Sequence, residues 1–304
     1  MRETKTRTAI RQSRGDRVFS VCNYVFLTLI LLVVLYPLIY VLSASISDPV
    51  AVNSGRMWLF PVDITWEGYK RVLENSEIWI GYRNTILYTL FGTMYNLLLT
   101  LPCAYGLSVR DLPGRKFLLG IFMFTMYFGG GLVPTYFLIK RLGMINSPLA
   151  IILPGGISVM NMLIARTYFS TSIPDALKEA AYIDGCKPIT CFIRIILPLS
   201  KPVIAILALY YAVGHWNAYF NAMIYLNDRK IFPLQLFLRE ILIQEKMSVE
   251  MAESVESDYI AHQQRIAEMV KYSTMIVSAL PLLVVYPFLQ RFFVQGVMIG
   301  SVKG

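Results

Sequence analysis

Six stretches of this 304-residue chain, 18 to 24 residues long, contain no Asp, Glu, Lys or Arg: about 21–42, 84–107, 117–139, 147–165, 203–224 and 272–289. A hydrocarbon core about 30 Å thick takes about 20 apolar residues to cross as a helix, because lipid offers no partner to an exposed backbone amide. One charge at the centre of such a helix would cost about 2.5–3.5 kcal/mol. The pattern therefore predicts an all-α membrane protein with six transmembrane helices. Composition agrees: charged residues make up 15% of the chain and hydrophobic ones 56%, against about 25% charged in a soluble domain. A cytosolic enzyme is excluded, since there is too little polar surface to cover soluble domains.

A net charge of +9 raises the question of nucleic acid. The placement of the charges answers it. With a basic leader over 1–20 taken as cytoplasmic, six spans put 16 basic and 6 acidic residues on the inner side, and 12 basic and 13 acidic on the outer side. That asymmetry follows the positive-inside rule and puts both termini in the cytoplasm of a plasma-membrane protein in contact with lipid. The basicity is topological, and no nucleic-acid partner is implied. The leader and first span are too long for a cleaved signal peptide, whose apolar region is about 7–15 residues. The division that results is a leader (1–20), a six-helix transmembrane domain (21–294) with a cytoplasmic loop at 170–202 and an outer loop at 225–271, and a cytoplasmic tail (295–304).

Chemistry-bearing residues are sparse. Cys22 and Cys103 lie in apolar runs and act as small hydrophobes. Cys186 and Cys191 have no histidine near them, since the only two are His215 and His262, so no metal site is expected. No Gly-x-x-x-x-Gly-Lys-Ser/Thr loop is present to cradle phosphates. Any ATP must therefore be hydrolysed on another subunit, and the chain needs no cofactor of its own. No span carries a carboxylate, which disfavours a secondary transporter driven by an ion gradient. Helix breakers inside the spans, among them Pro37, Pro102, Pro134, Pro154 and the Gly129–Gly131 run, read either as packing kinks or as bends that let helices rock. Asn217 and Asn221 fall four residues apart in the fifth span, on a helical face shared with Tyr210 and Gly214. They serve either as interhelical hydrogen-bonding groups or as a polar stripe along a solute pathway. The acidic stretch Glu250, Glu253, Glu256 and Asp258 reads as a solvated helix face or as a docking surface for an external protein.

The segment 170–202 is too polar to span. Ser172 followed by Asp175 reads as a capping box, with Pro174 in the first turn, and predicts a helix of about ten residues from Pro174 to Asp184. Gly185 supplies the positive φ that ends it. Pro188 then opens a second short helix whose Ile189, Phe192, Ile193 and Ile196 can pack beneath the bundle. The result is a helix-turn-helix knob at the cytoplasmic face.

Within that knob, Glu179, Ala180 and Ala181, then Gly185, then Ile195, then Leu197 and Pro198 match at every position the EAA signature of permease subunits in binding-protein-dependent ABC importers. Over nearly its full length the chain resembles the carbohydrate-uptake, MalG-like branch, nearest the YtcP/LplC type. The resemblance implies a type I (MetI-like) permease fold with a cytoplasmic EAA coupling loop. It also implies a transporter in which a second permease subunit, a dimer of ATPase subunits and an extracellular solute-binding lipoprotein join this chain. The seven signature residues would then dock into the ATPase, and an oligosaccharide would be the cargo.

Overall fold

The computed structural model describes residues 13–252, 265, 267–284 and 287, and among these every regular element is helical. The expected leader before Ser13, the residues of the acidic stretch from Glu253 to Asp258 and the tail 295–304 lie outside them.

Helix α1 (Arg14–Ala44) opens with a reciprocal cap, Ser13 Oγ accepting from the Asp16 amide at 3.2 Å and the Asp16 carboxylate accepting from the Ser13 amide at 3.0 Å. None of its most apolar stretch is buried inside the chain. A face so hydrophobic is stable only against lipid or another subunit. Asp48 caps the short α2 (Pro49–Asn53), whose first residue is proline, where a missing N–H costs nothing. Asn75 both ends α3 (Glu67–Glu74) and caps α4 (Ser76–Ser108) by accepting from the Glu77 amide at 2.9 Å.

Three of the apolar stretches are not single helices. The stretch 117–139 divides into α5 (Arg115–Tyr127) and α6 (Leu132–Arg141), which meet at 109°. The cause is Gly131, whose φ of +84° only glycine adopts at low cost, followed by Pro134. The stretch 147–165 divides into α7 (Leu149–Ile152) and α8 (Val159–Thr171) around Pro154 and Gly155, the latter at φ +72°. The knob comprises α9 (Asp175–Ile183), α10 (Pro188–Cys191), a π-helical turn (Phe192–Ile196) and α11 (Leu197–Leu199). It then bends by 83° into α12 (Lys201–Trp216). The remaining elements are α13 (Phe220–Tyr225), a 3-10 turn (Arg229–Ile231), α14 (Leu234–Ala252) and α15 (Ala267–Val284). By length and composition α1, α4 and α15 could each cross a membrane alone, and each bent pair, α5 with α6 and Pro188–Leu199 with α12, would make one more span.

Helix α4 is the axis on which α8, α12 and α14 pack, and small residues let it do so. A Cβ at Gly81 would fall 2.9 Å from Leu234 Cα, and one at Gly92 would fall 2.4 Å from Nε2 of His215. The largest buried cluster joins Leu101, Ala104 and Leu107 of α4 to Met162, Ala165 and Phe169 of α8 and to Val203 and Leu207 of α12. Through the same seam runs a chain of polar contacts. Asn96 Nδ2 donates to the carbonyls of Gly156 (2.9 Å) and Gly155 (3.4 Å), which the break between α7 and α8 leaves without helical partners. Because those carbonyls can only accept, Oδ1 faces His215, and Nε2 of the imidazole carries the proton across 2.6 Å. One turn further on, the Tyr211 hydroxyl lies 2.7 Å from Thr100 Oγ1 and accepts from the Ser158 amide at 3.1 Å.

Gly92→Ala should therefore drive a methyl into the His215 ring and lower stability by about 1–3 kcal/mol, the usual cost of overpacking. Thermal unfolding of the detergent-solubilised chain measures this. His215→Ala placed in the Gly92→Ala background should recover part of the loss, which separates the clash from a general intolerance of alanine in α4.

Candidate functional site

The knob of 170–202 stands on the end of the bundle where α4 and α8 finish. Its base is fastened by burial: Ala181, Cys191 and Ile196 are 6%, 1% and 0% exposed and join the α4/α8/α12 cluster. Tyr105 of α4 stacks on Phe192 with ring centroids 4.9 Å apart. Charge adds a second fastening. Asp175, the first residue of α9, pairs with Lys178 at 3.1 Å and with Arg110 of the α4–α5 turn at 3.6 Å. Lys178 Nζ also donates to the Phe169 carbonyl near the C-terminus of α8 at 3.3 Å, where the helix dipole favours a cation. The Lys178 hydrogen bond, helped by the charges of Lys178 and Arg110, holds the Asp175 carboxyl below the usual carboxylate range.

The capping-box expectation needs correction. Ser172 terminates α8, and Pro174 stands just before α9 with no side-chain cap, so the helix runs from Asp175 to Ile183. Asp175 is spent on Lys178 and Arg110 rather than on the backbone, which is why the reciprocal cap does not form. The turn matches its reading: Gly185 has φ +74° and its amide accepts the role of closing the helix, donating to the Tyr182 carbonyl at 3.0 Å. In the second half of the knob the buried face is Cys191, Phe192, Ile195 and Ile196, whereas Ile189 and Ile193 are 74% and 55% exposed. The widened turn underlies this shift. Proline at 198 cannot donate to the carbonyl four residues back and its ring crowds that carbonyl, so the backbone opens into a π turn in which the Leu197 amide donates to the Phe192 carbonyl.

Of the seven signature residues, Glu179, Ala180, Gly185 and Pro198 are exposed, Ala181 is buried, and Ile195 and Leu197 are half-buried. Glu179 edges a recess of about 290 Å³ that also has Tyr105, Ser108, Arg110, Lys178 and Tyr182 in its wall. Beside it the outward face of α9 presents Leu177 and Ile183, the latter 86% exposed. A carboxylate at the rim of an apolar ledge can pair with a basic side chain while the ledge buries surface against a partner. Sequence reading missed the Arg110–Asp175–Lys178 latch, although Asp175 and Lys178 at i,i+3 on a helix carried half of its signal.

Asn217 and Asn221 do not share a helical face. Helix α12 ends at Trp216, and Asn217 Nδ2 donates to the Val213 carbonyl at 3.0 Å, while Asn221 belongs to α13. Tyr210, Gly214 and Asn217 do remain exposed together. Among the described residues no group of three His, Cys, Asp or Glu side chains could hold a metal ion.

Asp175→Asn should raise hydrogen exchange of the α9 amides without changing that of α4. Because the native pairing lowers the carboxyl's proton affinity, its stabilisation is present above the unfolded-state carboxylate range and is lost as pH falls through the lower folded one. Protection of wild-type α9 should accordingly decline as pH falls from the ordinary carboxylate range toward the lower folded one, and α9 of Asp175→Asn should lack that decline.

Comparison with known proteins agrees with the geometry. The family model for the inner membrane component of binding-protein-dependent transport systems matches residues 78–299. The chain is 37% identical over 295 residues to protein LplC of Bacillus subtilis (strain 168), covering 97% of this chain and 98% of LplC. It is 37% identical over 290 residues to the polygalacturonan/rhamnogalacturonan transport system permease protein YtcP of the same organism, covering 95% and 99%. In three dimensions it superimposes with a TM-score of 0.81, at 34% identity and over 94% of its length, on the whole of one chain in the crystal structure of a bacterial ABC transporter involved in the import of the acidic polysaccharide alginate. With most of its length matched by the family model and two curated relatives at this identity, the chain belongs to the family of inner-membrane permease components of binding-protein-dependent transport systems.

Proposed function

We propose that the chain is the permease subunit of an ATP-driven importer that carries an oligosaccharide across the plasma membrane, with the 170–202 knob as its coupling element. The carrying observation is the contrast within the knob: a base locked by burial and by the Asp175 latch, and an outer face of Glu179, Ala180, Leu177 and Ile183 left open. A stiff lever needs that combination. On this reading Glu179, Ala180, Ala181, Gly185, Ile195, Leu197 and Pro198 form the EAA loop that seats in an ATPase subunit, and the six apolar stretches, broken ones included, make six spans with both termini cytoplasmic. Closing of an ATPase dimer on ATP would displace the knob as a unit and turn the pathway outward, a shift of population between two states.

The carbohydrate assignment draws on the relatives' names, which cite polygalacturonan and rhamnogalacturonan, alginate, and maltodextrin. A second permease subunit would complete the pathway, for which Asn217 and Asn221 are pathway candidates, and an extracellular solute-binding lipoprotein would deliver the sugar. ATP would be bound and hydrolysed by the ATPase subunits, with no cofactor on this chain.

Glu179→Lys should reverse the charge offered to the ATPase, and Gly185→Pro should destroy the turn, since proline holds φ near −65° where the chain requires +74°. Each should reduce sugar-stimulated ATP hydrolysis of the assembled complex by at least about 30-fold, the effect of losing one interface hot spot of about 2 kcal/mol. The stimulating sugars to try first are fragments of the polysaccharides named above. Uptake that persists without ATP and collapses with an ionophore would favour a secondary transporter instead.

A further inference from the structure

We propose that Arg115 and Arg166 form a binding site for the phosphate of an anionic phospholipid headgroup at the knob end of the bundle. Arg115 is the first residue of α5, and Arg166 lies in the second half of α8. Their Nε atoms converge on one acceptor, donating to the Leu107 carbonyl at the C-terminal end of α4 from 3.0 Å and 3.1 Å. A guanidinium has five N–H donors, so four on each side chain remain beyond that bond. Both residues are half-buried. Yet neither makes an ion pair with a carboxylate among the described residues, whereas neighbouring Arg110 has Asp175.

The electrostatic balance is plainly positive. The end of α4 contributes roughly half a negative charge, against two full positive charges drawn together and partly desolvated. Such a pair repels itself unless an anion completes it. A phosphodiester supplies acceptor oxygens for both guanidinium forks in a geometry that arginine favours.

The surroundings select a lipid over a soluble anion. No residue of α5 is buried. Phe117, Ile121 and Phe124 lie on the face of α5 turned away from Arg115, 73%, 46% and 59% exposed, so the outward side of the same helix is apolar from its first turn. The pair thus lies where the polar α4–α5 turn meets an outward apolar helix, the depth at which headgroup phosphates sit and basic pockets between helices hold them. That this is the cytoplasmic leaflet rests on the orientation proposed above. The lipid site itself requires only that the chain be membrane-embedded.

The test is native mass spectrometry of the full chain with its partner subunits in mild detergent, offered phosphatidylglycerol or phosphatidylcholine of identical acyl chains. Phosphatidylglycerol should be retained about 30-fold more strongly, at about fivefold for each basic charge near an anionic surface. R115Q/R166Q should fall to the phosphatidylcholine level, while R115K/R166K, which keeps the charge, should retain most of the preference and so exclude simple misfolding. Equal retention of the two lipids, or an unchanged preference in R115Q/R166Q, would overturn the site. Displacement of the lipid by millimolar inorganic phosphate would overturn it in favour of a soluble anion. Lipid bound only after the ATPase is stripped away would do so in favour of a partner carboxylate. Loss of sugar-stimulated ATP hydrolysis with the lipid preference intact would instead count against the importer reading alone.

Discussion

The seam between α4 and α12 is the contact on which the rest of the molecule depends. In a lipid-facing bundle a broken helix leaves carbonyls with no water to satisfy them, and each one left bare would cost several kcal/mol. The break before α8 exposes Gly155 and Gly156, and Asn96 answers both. Asn96 is held by His215, and His215 can approach only because Gly92 has no side chain. Take away any one of these and the others lose their partner. The break is thereby made compatible with the bilayer.

The knob inherits its stiffness from the same bundle. Its buried side chains, Ala181, Cys191 and Ile196, belong to the cluster that joins α4, α8 and α12. A force applied to its outer face would therefore reach the transmembrane helices through packed side chains, without first being absorbed by a flexible loop. The salt links of Asp175 are exposed and weak individually. Their worth is geometric: they tie α9 to the α4–α5 turn and, through Lys178, to the end of α8, so the knob is gripped from two directions. Arg115 opens the helix that follows this turn, so the knob's footing and the proposed lipid contact are adjacent.

Opposite the knob, the segment after α13 is laid onto the first turns of α4 by a different means. Asn84 Nδ2 donates to the Lys230 and Phe232 carbonyls at 2.8 and 3.0 Å, Tyr88 donates to the Ile231 carbonyl at 2.7 Å, and Thr85 accepts from the Leu234 amide at 2.8 Å. Arg229 clamps this arrangement by pairing with Glu77 and Glu240, and that pairing lowers the proton affinity of the Glu77 carboxyl. Side chains of α4 thus serve backbone groups of an irregular segment, as Asn96 does near the middle of the helix.

Hydropathy alone was enough to give the fold class, the membrane setting and the position of the knob, because burial in lipid imposes a composition on every residue of a span. The glycine turn at 185 was likewise legible, since a positive φ restricts the residue type. The i,i+4 reading of Asn217 and Asn221 failed because it assumed an unbroken helix, and nothing in an uncharged apolar run says where that helix stops. Three runs that look continuous by hydropathy are bent or interrupted. Whether a Pro or Gly breaks a helix depends on whether a neighbour can satisfy the freed carbonyls, and that neighbour, Asn96 in the case of Gly155 and Gly156, lies about sixty residues away along the chain. Local chemistry and composition are written residue by residue. Partners drawn from distant segments, the imidazole on Gly92, the two arginines on Leu107, the latch on Asp175, exist only once packing has brought those segments together.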